Sequence, residues 1–152
     1  MEYKKRKDTI YLRVDKGENV TETIKEVCKK EGIYGGYFQG IGACAAATLS
    51  TYIPEQNDFI DHEISGMLEM VSLMGNITMD CDNQPFLHSH AVFSYLNQGG
   101  EIAVIAGHLK EAKISYTGEI IITSADDTIG RQFDENAGIE VWKLIASRNL
   151  NE

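Results

Sequence analysis

Apolar and polar residues alternate through TIYLRVD at 9–15, a stretch rich in strand formers, which predicts a first strand. The period then changes. Val20, Ile24, Val27 and Cys28 recur at helical spacing, Asn19 and Glu22 stand where a capping box would, and Gly32 suits the αL position beyond a helix end. These residues predict one helix over about 20–31. From Tyr34 to Ile53 the helical period is lost, and four glycines and four alanines lie among aromatics. Small residues at this density indicate close backbone approach or tight turns. Pro54 to Asp58 reads as a hairpin loop. The rest reads as strands at 59–65, 67–79, 85–96, 101–109 and 114–124, with turn-type breaks at Asp80–Asn83 and Asn97–Gly100. A turn and a short apolar strand close the pattern in FDENAGIEVWKLI.

One helix among many antiparallel strands predicts an α+β layout, a mostly antiparallel sheet with the helix packed on one face. The expected organisation is a flexible basic flank at 1–8, a single domain at 9–146 and a frayed tail at 147–152.

Composition changes this picture in few places. With 43% apolar and 24% charged residues the chain has an ordinary globular balance, which excludes extensive disorder. No stretch approaches the ~18–20 apolar residues of a membrane span, and the basic start lacks the apolar segment of a secretory signal. Cys28, Cys44 and Cys81 form neither a CxxC pair nor a disulfide framework, so a cytoplasmic location is expected. Cys28, on the apolar helix face, is expected to be buried and inert.

Charge matters more. The net charge is −9, and setting aside the first eight residues, which hold four basic and two acidic groups, leaves 10 basic against 21 acidic, a balance of −11. An acidic body repels phosphate backbones, which argues against general DNA binding by the folded part.

The chemistry concentrates in HSHAVFSYLNQGGEIAVIAGHL, where three of the four histidines lie. His88 and His90 are two apart on a predicted strand and so share a face. The hairpin turn at Asn97–Gly100 returns the chain toward His108, and the position numbers of opposed residues add to about 196–198. A sum of 196 sets His108 opposite His88, and 198 sets it opposite His90. Either places three imidazoles on one face, whereas 197 puts His108 opposite Ser89 and on the other. Sequence alone leaves that parity open. Three clustered imidazoles suit zinc first, or another divalent transition metal, and three protein ligands leave a fourth position open. An open position allows a metal-dependent, hydrolase-like enzyme, with Glu111 as a candidate general base; whether the chain is an enzyme stays undecided.

Other patterns read as structural. His62, among acidic residues, reads as a solvated strand residue. Asp80, Asp82 and Asn83 lack the glycine and distal glutamate of a calcium loop and read as a turn. Gly40 and Gly42 lack the following lysine of a phosphate cradle and read as a structural turn or close contact. Met67, Met70, Met74 and Met79 read as core packing.

YLRVDKGENV, GIGA at 40–43, GMLEMVSLMGNI at 66–77, PFLHSHAVFS at 85–94, AGHL at 106–109 and FDENAGIEVWKL together resemble the plants and prokaryotes conserved (PPC) domain family. The resemblance runs from about residue 9 to 144. It implies an α/β sandwich-like fold that assembles as a homotrimer, with a metal site at His88, His90 and His108. In plants the domain follows an AT-hook in nuclear proteins that bind AT-rich DNA, and it mediates self-association and partner binding. Prokaryotic members usually lack the hook, and their DNA-binding label is an analogy. This chain has no Arg-Gly-Arg-Pro core, and its Lys4-Lys5-Arg6-Lys7 cluster reads as a solvated flank. The plant partner motif Gly-Arg-Phe-Glu-Ile stands here as Gly66-Met67-Leu68-Glu69-Met70, which makes Gly66, Leu68 and Glu69 the partner-motif positions. The reading is therefore a homotrimeric binding or regulatory module with a three-histidine metal site for a small ligand or protein partner. A DNA-binding regulator and a metal-dependent enzyme are the alternatives.

Overall fold

The computed structural model describes residues 1–56 and 58–144. In chain order the elements are β1 (Glu2–Arg6), β2 (Thr9–Asp15), α1 (Val20–Glu31), β3 (Gly36–Ile53), β4 (Asp58–Met79), β5 (Pro85–Leu96), β6 (Ile102–Ser124), β7 (Gly130–Asp134) and β8 (Ile139–Lys143). The expected layout of one helix on a mostly antiparallel sheet is the one found; the final residues 145–152, with the expected tail, lie outside the described residues.

The helix begins and ends where its sequence says it should. The Asn19 side chain accepts from the backbone N–H groups of Thr21 and Glu22, while Glu22 itself pairs with Lys25. At the other end Gly32 adopts φ 67°, and the Ile33 N–H reaches Cys28 O at 2.8 Å, closing a Schellman turn. Among the described residues no helix is long and apolar enough to cross a membrane.

The six-stranded sheet runs β1-β2-β6-β3-β4-β5, and β5 also pairs with β6, so β3, β4, β5 and β6 close into a ring. One edge of β6 is shared in turn. Ile102–His108 pair with β5, the segment before α1 bridges at Lys113, and Thr117–Thr123 pair with β2. The core lies inside the curled sheet and under α1, joining Ile24 and Val27 of the helix to Ile10, Phe38, Leu73, Phe93 and Ile122.

Three sequence expectations change here. Residues 34–53, read as turns or close approach, hold the central strand β3, paired on both sides. Glycine and alanine are poor strand formers by propensity, but this position is crowded. A Cβ at Gly42 would stand 2.6 Å from Thr117 O, and register shifts beside it bend the strand. The strands expected at 59–65 and 67–79 merge into β4 across Gly66, and those at 101–109 and 114–124 merge into β6, because β3 pairs along both. Finally, the basic residues expected to form a flexible flank form β1, hydrogen-bonded to β2 over its length. Tyr3 OH donates to Glu31 at 2.7 Å and Lys5 pairs with the same carboxylate, which ties this strand to the helix end. Lysines on the free edge of a sheet also discourage edge-to-edge association.

The methionines divide. Met70 is buried in the core, but Met67 and Met74 are exposed, contrary to the core reading. Cys28 is buried as expected, and burial pushes its thiol up to about 12.

Because Asn19 satisfies two N–H groups at the start of α1, Asn19→Ala is expected to cost about 1 kcal/mol. A urea unfolding midpoint unchanged from the parent would contradict this.

Candidate metal centre

Outward and inward positions alternate along β5. Leu87, Ser89, Ala91 and Phe93 are buried, while His88 and His90 are exposed. The Asn97–Gly100 turn is held by Asn97 Oδ1, which accepts from the N–H groups of Gly99 (2.9 Å) and Glu101 (3.0 Å). That turn fixes Leu96 opposite Ile102, and counting back sets His90 directly opposite His108. The register is the even one summing to 198, so His108 shares the outward face.

The three rings meet where the β5–β6 ladder ends. Ring centroids lie 5.3 Å apart for His88–His90, 5.3 Å for His88–His108 and 5.5 Å for His90–His108. One nitrogen from each falls within 4.8 Å of the other two, the one such group of histidine, cysteine or acidic side chains among the described residues. His90 Nε2 and His88 Nε2 are 3.3 Å apart. Two ligands at zinc–nitrogen distances on a tetrahedral ion stand roughly 3.3 Å apart, so this pair already has the spacing the metal requires. The donor set is all-imidazole, which suits zinc, copper, iron or nickel rather than calcium or magnesium.

Partial withdrawal from water holds the His88 imidazole below its ordinary range, helped by the charges of His90 and Arg131. The same withdrawal acts on His108, with His88 and His90 adding to it. Both rings are therefore neutral at neutral pH, the form that ligates a metal.

The surroundings are mixed. His108 pairs with Ser50 of β3, whose Oγ donates to Asp61 Oδ1 at 2.7 Å; Lys110 Nζ lies 2.5 Å from Asp61 Oδ2. Asp61 is thus committed to two partners beside the imidazoles and is not one of their group. Phe59 stands 5.9 Å from the His108 ring and 5.2 Å from Tyr52. On the other side a cleft of about 360 Å³ is lined by Tyr37, Gln39, Met74, Asn76, His88 and His90.

The remaining sequence candidates do not join this cluster. Glu111 accepts a hydrogen bond from Asn19 Nδ2 at 3.1 Å, at the start of α1. Gly66 and Glu69 are exposed on β4, but Leu68 is 1% exposed and packs in the core, so it offers nothing to a partner. His62 is exposed on β4, as expected. Asp80 Oδ1 accepts from the N–H groups of Asp82 and Gln84, making the expected turn. Sequence reasoning missed Asp61 and Phe59, which the β3–β4 pairing brings to the histidines, Asn76, which the β4–β5 pairing sets opposite His88, and Lys110, whose partner Asp61 lies on β4; the sequence offers no register signal for these pairings.

The family model of the Plants and Prokaryotes Conserved (PCC) domain matches residues 1–126. Three solved structures are similar over nearly their whole length. A metal-containing protein of Archaeoglobus fulgidus is 29% identical with a TM-score of 0.78, the match covering 94% of this chain and 97% of that one. A plant- and prokaryote-conserved (PPC) protein of Pyrococcus horikoshii is 28% identical with a TM-score of 0.77, covering 95% and 94%. A "putative DNA-binding protein" of Bacteroides thetaiotaomicron is 25% identical with a TM-score of 0.84, covering 93% and 96%. No curated protein matches the sequence.

The depressed imidazoles give the metal-free protein a defined pH response. Below the ordinary value of about 6.5, the unfolded chain takes up protons that folded His88 and His108 resist. Stability is therefore whole above about pH 6.5 and declines as the pH falls through the depressed values. NMR titration is expected to give midpoints for both rings below about 6.5; a midpoint above that value for either would contradict the assignment.

Proposed function

The chain belongs to the Plants and Prokaryotes Conserved domain family, and from that premise we propose that it is a homotrimeric binding or regulatory module. In this reading His88, His90 and His108 hold a divalent transition metal, zinc first, and the open coordination position receives a small ligand. The observation that carries it is the convergence of three imidazole nitrogens within 4.8 Å of one another on an accessible face. Their ligand set has three members, the number that catalytic and exchangeable zinc sites use, whereas closed structural sites use four. The metal-containing protein of A. fulgidus supports it by likeness.

Self-association is supported by the outer face of the sheet. Tyr11, Ile41, Val71 and Met74 are each more than half exposed there, and apolar patches of this kind mark interaction surfaces. Met74 is paired with His90, so the patch runs up to the imidazoles. The unpaired cysteines fit a reducing cytoplasm. The binding reading is preferred over a hydrolytic one because Glu111, the candidate base, is engaged by Asn19.

The name of the B. thetaiotaomicron structure favours a second reading, association with nucleic acid. The basic edge strand β1 is then the contact, working against an acidic body. A gel shift on AT-rich duplex at low salt that disappears at moderate salt would favour this reading.

The metal-centre reading is tested by elemental analysis with solution mass. About one zinc per chain is expected in the parent. His90→Ala should lose it and retain the trimeric mass. A parent that takes up no zinc, or a His90→Ala protein that retains it, would refute the reading.

A further inference from the structure

We propose that the ligand of the metal centre is a small oxyanion, a carboxylate or phosphate group, whose second contact is the guanidinium of Arg131. This rests on the metal-centre reading and adds the class of ligand to it.

The β7–β8 hairpin carries Arg131 back to β5. There its guanidinium carbon lies 4.3 Å from the centroid of the Phe86 ring. Phe86 and His88 are successive outward positions on β5, roughly 7 Å apart along the strand, and the stacked guanidinium is near enough for its charge to act on the first histidine. It is held in place. Nε faces Glu140 Oε2 at 3.3 Å, Nη2 donates to the Glu140 carbonyl at 2.7 Å, and the side chain is only 9% exposed. These contacts use two of the five N–H donors of an arginine and fix the plane of the fork.

The charge balance of the site then selects the ligand. All three metal ligands are imidazoles, and the two carboxylates named near them are engaged, Asp61 by Lys110 and Ser50 and Glu140 by Arg131. A divalent ion bound there keeps its full charge, and the guanidinium, though paired with Glu140, has three N–H donors left after its two contacts. An anion that reaches both would be met by the charge of the ion and by those remaining donors. A guanidinium fork and a metal with an open position both take carboxylate or phosphate oxygens. On the other side, Gln39, Asn76 and Tyr37 supply polar groups for the rest of such a molecule in the cleft beside His88.

The test uses the full chain loaded with cobalt(II), whose visible spectrum reports a change of ligand at the metal. The parent is titrated with inorganic phosphate and, separately, with acetate. A saturable spectral change with either anion is expected, and the tighter of the two names the head group. Arg131→Ala and Arg131→Gln should take up the same amount of cobalt and bind the anion about tenfold or more weakly. If neither anion changes the parent spectrum, or if either variant, with its cobalt retained, binds as tightly as the parent, the proposal fails while the metal centre stands. A parent that takes up no cobalt removes the metal centre, and this proposal with it.

Discussion

The hairpin joining β5 to β6 sets His90 against His108, and the candidate centre depends on the parity of that pairing. In a ladder, a slip of one residue sends every side chain to the opposite face. His108 would then enter the core face opposite Ser89 or Ala91, and Leu109 and Ile105 would turn outward. Two features hold the register. Asn97 closes the turn with its own side chain, and the inward set of Leu87, Ala91 and Phe93 must face apolar neighbours. The same packing that stabilises the strand therefore fixes the imidazoles on the accessible side.

The fold places this pairing at a special point. His108 is the last residue of β6 paired with β5. Beyond it the same edge of β6 turns to the segment that starts α1, and then to β2. The three rings thus stand at the end of a ladder rather than within a closed surface, which leaves room for a ligand above them. Along the outward face, paired positions run from Tyr11 through Ile121, Gln39 and Met74 to His90, so an apolar strip leads directly to the cluster. In the proposed reading, binding at the histidines and association through the strip would share one side of the molecule. In the ligand proposal, the neutral donor set and the remaining donors of Arg131 are what would favour an anion there within an acidic body.

Much of this was legible in the sequence because it rests on local rules. The helix and its ends follow from Asn19, Gly32 and the spacing of Val20, Ile24, Val27 and Cys28. The three histidines follow from strand alternation and a turn of known type, with only the parity left to the structure. What was hidden depends on long-range pairing. The glycine- and alanine-rich β3 looks unlike a strand, yet it is central, because neighbouring backbones approach so closely that larger side chains would not fit. Basic β1 looks like a solvated flank, yet it finds β2 and Glu31. Arg131 carries no sequence signal at all. Its position follows from the docking of a hairpin that lies past the end of the matched family model.

X-ray absorption at the zinc edge on the zinc-loaded protein reports the ligand atoms directly, and so tests the central claim without mutation. The account predicts a first shell of three imidazole nitrogens at about 2.0–2.1 Å and one further light atom, with the outer-shell scattering of the rings. A sulfur at about 2.3 Å, or a shell without imidazole scattering, would place the metal away from His88, His90 and His108 and contradict the account.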